Sequence, residues 1–392
     1  MTDTLGILDE LAKTARTPEE YAALVEKLAS TLPRELVDEK YRDGLAQMAR
    51  QETLDGYIAF YELLYGFKPP NHVVGEIDRI LGKMEWDGTI VFAWRGSWKS
   101  VSIGVTTVCW KMGLSPLKTH LIVCANDDSA EKITKAIAAI IEYHPEWKRV
   151  FPAIVPDKGN WSVEGFTVID NSMPIEEWKQ KRAAVVDPTL VGGGWESSRL
   201  NGKHPTGYLV IDDIHDLKNS RSARERAAVV ATVTKVILKT AVREKDSIVT
   251  NIVDIGTPWD PEDASHVLIK TGQYQFINIP AMRPSSEGFP GAVYINGVAK
   301  NGVTYDDIKG WWVLTWPEGY GVGSIISDRA TLGKVAFWQM IMLDLTAAKS
   351  GGIRYYGYDL NPDKREMNYP AHGGCDPAFT LKEKVDAGRN SS

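Results

Sequence analysis

Cysteine is scarce in this chain of 392 residues. The 3 cysteines, Cys109, Cys124 and Cys375, are too few and too widely spaced for a zinc pattern or a disulfide framework, which suits a reducing cytoplasm. No apolar run approaches the roughly 20 residues of a membrane-spanning helix. The N-terminus, MTDTLGILDE, carries acid where a secretion signal carries base, so no such signal is expected there. Internal repeats and low-complexity tracts are lacking as well. Positive charge is not in excess: the formal net charge is −6, so no global basic field advertises a nucleic acid, and any contact with DNA must come from local patches. What is there, 43% hydrophobic and 24% charged residues, is ordinary for a globular protein and excludes wholesale disorder. The length allows two domains, or one large domain with appendages.

The texture changes along the chain. Residues 1–66 read as a helical N-terminal region. Thr17-Pro18-Glu19-Glu20 is a capping box with proline at the first helical position, and Tyr21, Leu24, Leu28 and Leu32 follow at helical spacing. Phe67-Lys68-Pro69-Pro70 breaks that pattern. Short apolar runs then alternate with helical stretches. Strands are expected at Thr89–Trp94, Lys118–Ala125, Tyr208–Asp212, Ile248–Ile255 and Tyr274–Ile279. Helices are expected from about Lys99 to Met112 and from Asp127-Asp128-Ser129, read as a cap, to about His144. This alternation predicts an α/β fold, a mostly parallel sheet with helices on both faces and ligands at the strands' carboxyl ends. Residues near 283–325 are a turn-rich excursion, and a helix over about Asp328–Ala348 follows. The tail from 351 to 392 is rich in Gly, Asn, Pro and charge and ends as though cut.

Two segments carry chemistry. Val91–Ser100 runs from a strand through Arg95-Gly96-Ser97-Trp98-Lys99-Ser100 into a helix. In that context backbone amides, a lysine and a hydroxyl converge on phosphates and magnesium. Gly96 can supply the tight turn, but Trp98 stands where a phosphate loop normally has its last glycine, and its Cβ and indole would hinder close backbone approach. By pattern alone the match is weak, and a surface loop with a basic tip is an equal reading. Tyr208–Asp213 adds four apolar residues ending in Asp212-Asp213. Paired carboxylates at a strand end are costly unless they meet a cation. The alternative is a pair of solvated aspartates opening a turn. His215 lacks metal-site spacing and reads as a surface or structural histidine. Gly256-Thr257-Pro258-Trp259-Asp260 is a third strand end, where the Thr257 hydroxyl can sense a γ-phosphate or simply begin a loop.

Three motifs in this order and spacing resemble the large subunit of the terminase of tailed double-stranded DNA bacteriophages. Asp212-Asp213-Ile214-His215-Asp216-Leu217-Lys218, the run Gly256–Asp263, Tyr274–Ala281, Trp316-Pro317-Glu318 and Leu332–Gln339 add to the likeness, which covers roughly residues 65–350. The resemblance implies a P-loop ATPase domain of the ASCE type over 67–350, then over 351–392 a linker and the truncated start of an RNase H-like nuclease. Gly373–Ala378 resembles that nuclease's first strand, with Asp376 as a lone metal ligand. It implies ATP and Mg2+ as cofactors. Lys99 matches the phosphate lysine, Ser100 its magnesium hydroxyl, and Arg95 an arginine carried inside the loop. Gly96, Ser97 and Trp98 complete that loop. Asp212 matches the magnesium aspartate, and Asp213 stands where many members have a catalytic glutamate. Thr257 matches the coupling position, and Asn71 and His72 lie at the adenine-side motif. Arg199 and Lys203 are candidates for a trans-acting finger. The partners implied are double-stranded DNA, the procapsid portal protein, the small terminase subunit and further copies in a ring of five, with a monomer in isolation. The place implied is the host cytoplasm and, transiently, the portal vertex, not the mature virion. Lys179-Gln180-Lys181-Arg182 and Lys235, Lys239, Arg243 and Lys245 are candidate DNA-gripping clusters or plain solvated faces. Two rival readings stay open: another DNA-dependent ATPase or helicase, and a nucleotide-independent docking module with a degenerate loop.

Overall fold

In the computed structural model the apolar runs become the strands of a large, mostly parallel sheet. The structure describes residues 34–82, 85–245 and 247–346, together with Thr17, Glu19, Glu20, Ala22 and Ala23. The expected helix through Tyr21, Leu24, Leu28 and Leu32 and the tail with Asp376 lie outside the described residues. Of the capping box, Glu20 N donates to Thr17 Oγ1 at 3.2 Å.

The strands are β1 (Gly88–Ala93), β2 (His120–Cys124), β3 (Ile154–Trp161), β4 (Gly165–Asp170), β5 (Leu190–Gly194), β6 (Tyr208–Asp212), a short hairpin of β7 (Arg243–Glu244) and β8 (Ser247–Ile248), β9 (Asn251–Gly256) and β10 (Tyr274–Ile279). The sheet order is β10-β1-β9-β6-β2-β5-β4-β3. β5, β2, β6 and β9 run parallel in register, with Leu121 opposite Val191 and Leu209, and Val210 opposite Val253. These strands are buried almost end to end, as continuous Val/Ile/Leu runs require when both sheet faces are covered. β4 turns antiparallel to β5, and β3 to β4, at one edge.

β5 contains Gly192-Gly193-Gly194 and has no strand signal in its sequence. The helix Asp127–Tyr143 explains it: a Cβ on Gly192 would come within 2.4 Å of Thr134 Oγ1, and one on Gly194 within 2.8 Å of the Asn126 backbone. Only bare backbone lets that helix seat so close. Its cap is Asn126, whose side chain accepts from Ser129 N, and not the Asp127-Asp128-Ser129 run expected from sequence.

The described residues fall into two compact units. The first lies within Met1–Val91 and Gly96–Ile277, the second within Phe92–Arg95 and Asn278–Ser392. In the first, the N-terminal helices Arg34–Ala49 and Leu54–Tyr65 are locked onto the α/β body. Arg50 Nε donates to Val150 O at 2.7 Å, and Trp110 Nε1 to Ala49 O at 2.6 Å. Gly66, at φ +77°, ends the second of these helices, and Asn71–Leu81 adds one that the sequence pattern did not announce.

In the second unit the turn-rich excursion is a small antiparallel sheet of β11 (Met282–Pro284), β12 (Ala292–Ile295) and β13 (Gly310–Leu314), in the order β11-β13-β12. The expected helix over Asp328–Ala348 is shifted: it spans Val322–Met340 and breaks at Gly333, where φ is +72° and ψ 174°. It stops because Leu343 turns left-handed, at φ +56°, and Asp344 N folds back onto Trp338 O at 2.8 Å.

Candidate nucleotide site

Four of the residues singled out in the sequence come together at the ends of β1 and β6. The chain leaving β1 turns at Gly96, whose φ of +97° fits the tight turn expected of it. Trp98 has φ +66°, in the left-handed region where a bulky side chain is an outlier. The loop thus follows the backbone path a glycine would give, with an indole attached. That indole lies edge-on to Phe67 at 5.7 Å and to Tyr65 at 6.5 Å, and stays 38% exposed. Ser102 N closes the turn onto Trp98 O at 2.8 Å.

The helix that follows is not the plain α-helix expected from Lys99 to Met112. Ser100–Thr107 is wound as a π-helix and passes into α-helix at Val108–Leu114. Its hydroxyls help to hold the wider winding, with Thr106 Oγ1 on Val101 O at 2.8 Å and Thr107 Oγ1 on Ser102 O at 2.9 Å. Tyr57 OH also donates to Ser102 O, at 3.0 Å. Such widened turns concentrate at functional sites.

Lys99 is buried, with Nζ 3.6 Å from Asp213 Oδ2. Ser100 Oγ donates to Asp212 Oδ1 at 3.0 Å. Asp213 N is bonded to Ile255 O at 2.8 Å, so the aspartate loop is tied to the end of β9. Gly256 is close by, since a Cβ there would lie 3.5 Å from Asp213 Oδ1, and Thr257 follows it, buried. Burial first, then the neighbouring Asp213, push the Asp212 carboxyl upward, while Lys99 and the Ser100 hydroxyl pull it back. A hydroxyl and two carboxylates are hard oxygen donors of the kind magnesium takes, with the rest of its shell left to phosphate and water. Among the described residues no group of three or more His, Cys, Asp and Glu side chains could hold a metal by itself.

The other candidates differ in their settings. Arg95 belongs to the second unit; its side chain is exposed and its amide donates to Met340 O at 3.1 Å. Asn71 is exposed at the start of its helix. His72 is buried, and its Nε2 donates to the Ser97 carbonyl at 3.0 Å, so it props the loop from behind. Ser97 itself is buried. Arg199 is clamped within its own chain, to Glu164 at 2.9 Å and Glu131 at 3.2 Å, and Lys203 pairs with Asp187 at 3.2 Å. In the first basic cluster Lys179 and Lys181 are neutralised by Glu176 and Glu177 on the same helix. Lys235, Lys239, Arg243 and Lys245 are all exposed.

Sequence reasoning missed two connections. Of its two readings His215 takes the structural one: it is buried, its Nε2 accepting from Ala264 N at 2.9 Å and its Nδ1 facing Asn219 Oδ1 at 3.3 Å. With Arg226 Nε 3.6 Å from Asp260 Oδ1, it stitches the loop after β6 to the loop after β9. Asp254 is buried within β9, where desolvation, offset in part by a Ser265 hydrogen bond, pushes its carboxyl up to about 7. A lone acid in an apolar strand was the available signal for it.

A scan of protein-family models finds none that matches the chain, and a search of curated proteins finds no match either. Among the described residues no helix is long and apolar enough to cross a membrane.

Proposed function

We propose that this chain is an ATPase of the P-loop ASCE type, the motor part of a phage terminase large subunit that drives double-stranded DNA into a procapsid. The observation that carries this reading is the pairing of the two opening motifs, Ser100 Oγ on Asp212 at 3.0 Å beside Lys99 on Asp213 at 3.6 Å. A loop with a merely basic tip has no reason to present its hydroxyl and its lysine to two successive carboxylates. The sheet order supports it further: β9 lies between the strand that feeds the loop and the strand that ends in the aspartates, so the Thr257 turn abuts both.

In this reading Lys99 leaves Asp213 for the β- and γ-phosphates. Ser100 and Asp212 would hold magnesium, and Asp213 orients the attacking water. The stitched loops after β6 and β9 carry loss of the γ-phosphate onward. The indole of Trp98 rests on Phe67 and Tyr65 in a loop that keeps a glycine-like path, which favours a working loop over a degenerate docking module. The portal, the small terminase subunit and a ring of copies are the partners this function requires.

The deciding experiment compares DNA-stimulated ATP hydrolysis by the wild type and Lys99→Ala. Activity lost in the variant supports the reading, and equal background rates in both refute it. Asp213→Asn is expected to bind nucleotide and fail to hydrolyse it.

A further inference from the structure

The helix Asn71–Leu81 brings a carboxyl to the phosphate loop that the mechanism above does not use. Glu76 is fully buried, and neither Oε1 nor Oε2 has a hydrogen-bond partner among the described residues. It stands one turn after His72, which grips the Ser97 carbonyl, so both face the loop. The charged or titratable groups acting on it from neighbouring elements are Lys99, in the loop, and Tyr57, on the helix Leu54–Tyr65, whose hydroxyl is already committed to Ser102 O. An ionised carboxylate in such a setting is strongly disfavoured without a counter-ion. Among the described residues, Lys99 is the cation that acts on it.

Lys99 therefore acts on three carboxyls, pairing with Asp213 and drawing Asp212 and Glu76 downward, and Asp213 and Glu76 are of unlike character. Asp213 is half exposed, and water can solvate it when the lysine leaves. Glu76 is fully buried and has no hydrogen bond among the described residues, so once charged it would hold Lys99 hard. We propose that Glu76 is a positioning residue of the nucleotide site: as a neutral acid it leaves the Lys99 ammonium to the phosphates, and as a carboxylate it competes with them for it. This rests on Lys99 being the phosphate lysine. Burial raises the Glu76 carboxyl to about 8, with Lys99 pulling it down, so the neutral form prevails near neutral pH and the switch falls just above it.

The test is calorimetric titration of MgADP into the full chain at about pH 7 and about pH 9, for the wild type and Glu76→Gln. Because the charged acid competes with phosphate, wild-type affinity is expected to fall about tenfold between the two pH values, and that of Glu76→Gln less than about twofold. Repeating the titration near pH 9 in buffers of different ionisation enthalpy is expected to show proton uptake on binding by the wild type and none by the variant, a signature that a purely structural role would not produce. Glu76→Met, which removes the polar group altogether, serves if the amide destabilises the fold, with the same flat profile expected. An equal pH slope in wild type and variants overturns the role of Glu76 alone. No nucleotide binding by any of the proteins at either pH overturns the nucleotide reading itself.

Discussion

Replacing Trp98 by glycine sets two effects against each other. At φ +66° the tryptophan sits where an L side chain costs about 1–2 kcal/mol, and glycine removes that cost. Against this stands the indole's packing. With 38% of the residue exposed, roughly 150 Å² of it is covered, about 100 Å² once the compactness of the unfolded chain is allowed for, worth about 2.5 kcal/mol, and its edge contacts with Phe67 and Tyr65 add about 0.5–1 kcal/mol. Glycine also loosens the unfolded chain by about 0.4–1 kcal/mol. The packing side wins, so Trp98→Gly is expected to lower the free energy of unfolding by about 2 kcal/mol, measured by urea denaturation. Two further variants sharpen the test. Trp98→Phe keeps a ring and the strain and stays nearest to wild type; Trp98→Asn loses the ring but tolerates the left-handed backbone, and falls between Phe and Gly. If Trp98→Gly or Trp98→Asn proves as stable as wild type, backbone strain outweighs the aromatic shelf and this account of the loop is wrong.

Three other perturbations have definite outcomes. Asp254, held up to about 7 when folded, titrates at an ordinary low value when unfolded, so its contribution is full in acid and lost as pH rises toward 7. Asp254→Asn should therefore gain on wild type as pH rises, by about 2–4 kcal/mol at pH 8 and almost nothing near pH 4, in unfolding curves at both pH values. Gly194→Ala drives a Cβ to 2.8 Å from the Asn126 backbone and should cost about 1–3 kcal/mol of stability; a thermal midpoint unchanged from wild type would count against the close seating of that helix. Arg199→Ala frees Glu131 and Glu164 from their shared cation, and should lower stability by about 1–2 kcal/mol in urea; an ATPase defect with unchanged stability would instead mark Arg199 as acting on a neighbouring copy.

The central sheet was legible because its strands are uninterrupted apolar runs: Tyr208–Asp212 and Tyr274–Ile279 form strands with the bounds read from sequence. The same logic misled where one residue type serves two purposes. Ile248 looked like the start of β9, yet it belongs to the hairpin of β7 and β8 that precedes it. β5 was invisible because its glycines answer to the helix packed on them, a tertiary demand that no local pattern encodes. At the site, Lys99, Ser100, Asp212 and Asp213 could be found because each lies at a strand end in a chemically telling pair. His215 and Glu76 were not singled out as parts of the site, and His72, placed at the adenine-side motif, holds the Ser97 carbonyl from 25 residues away; such roles depend on which backbone groups and charges the fold brings together. The left-handed turn at Trp98 was hidden for a related reason: side-chain identity argued against the backbone that the loop adopts.

Asp213 has φ +42°, a conformation imposed where the chain bends off β6 and its amide is held by Ile255. Among acidic residues aspartate tolerates that backbone better than glutamate, because its short carboxyl can bond locally. The bend by itself thus favours aspartate over glutamate at this position, before any chemistry proposed for the carboxylate is considered. Lengthening the side chain to glutamate would extend the reach toward water while straining the turn that aims it, so a gain in one coordinate is withdrawn in the other. Chemical tuning of this carboxylate would have to begin with the geometry of the strand end.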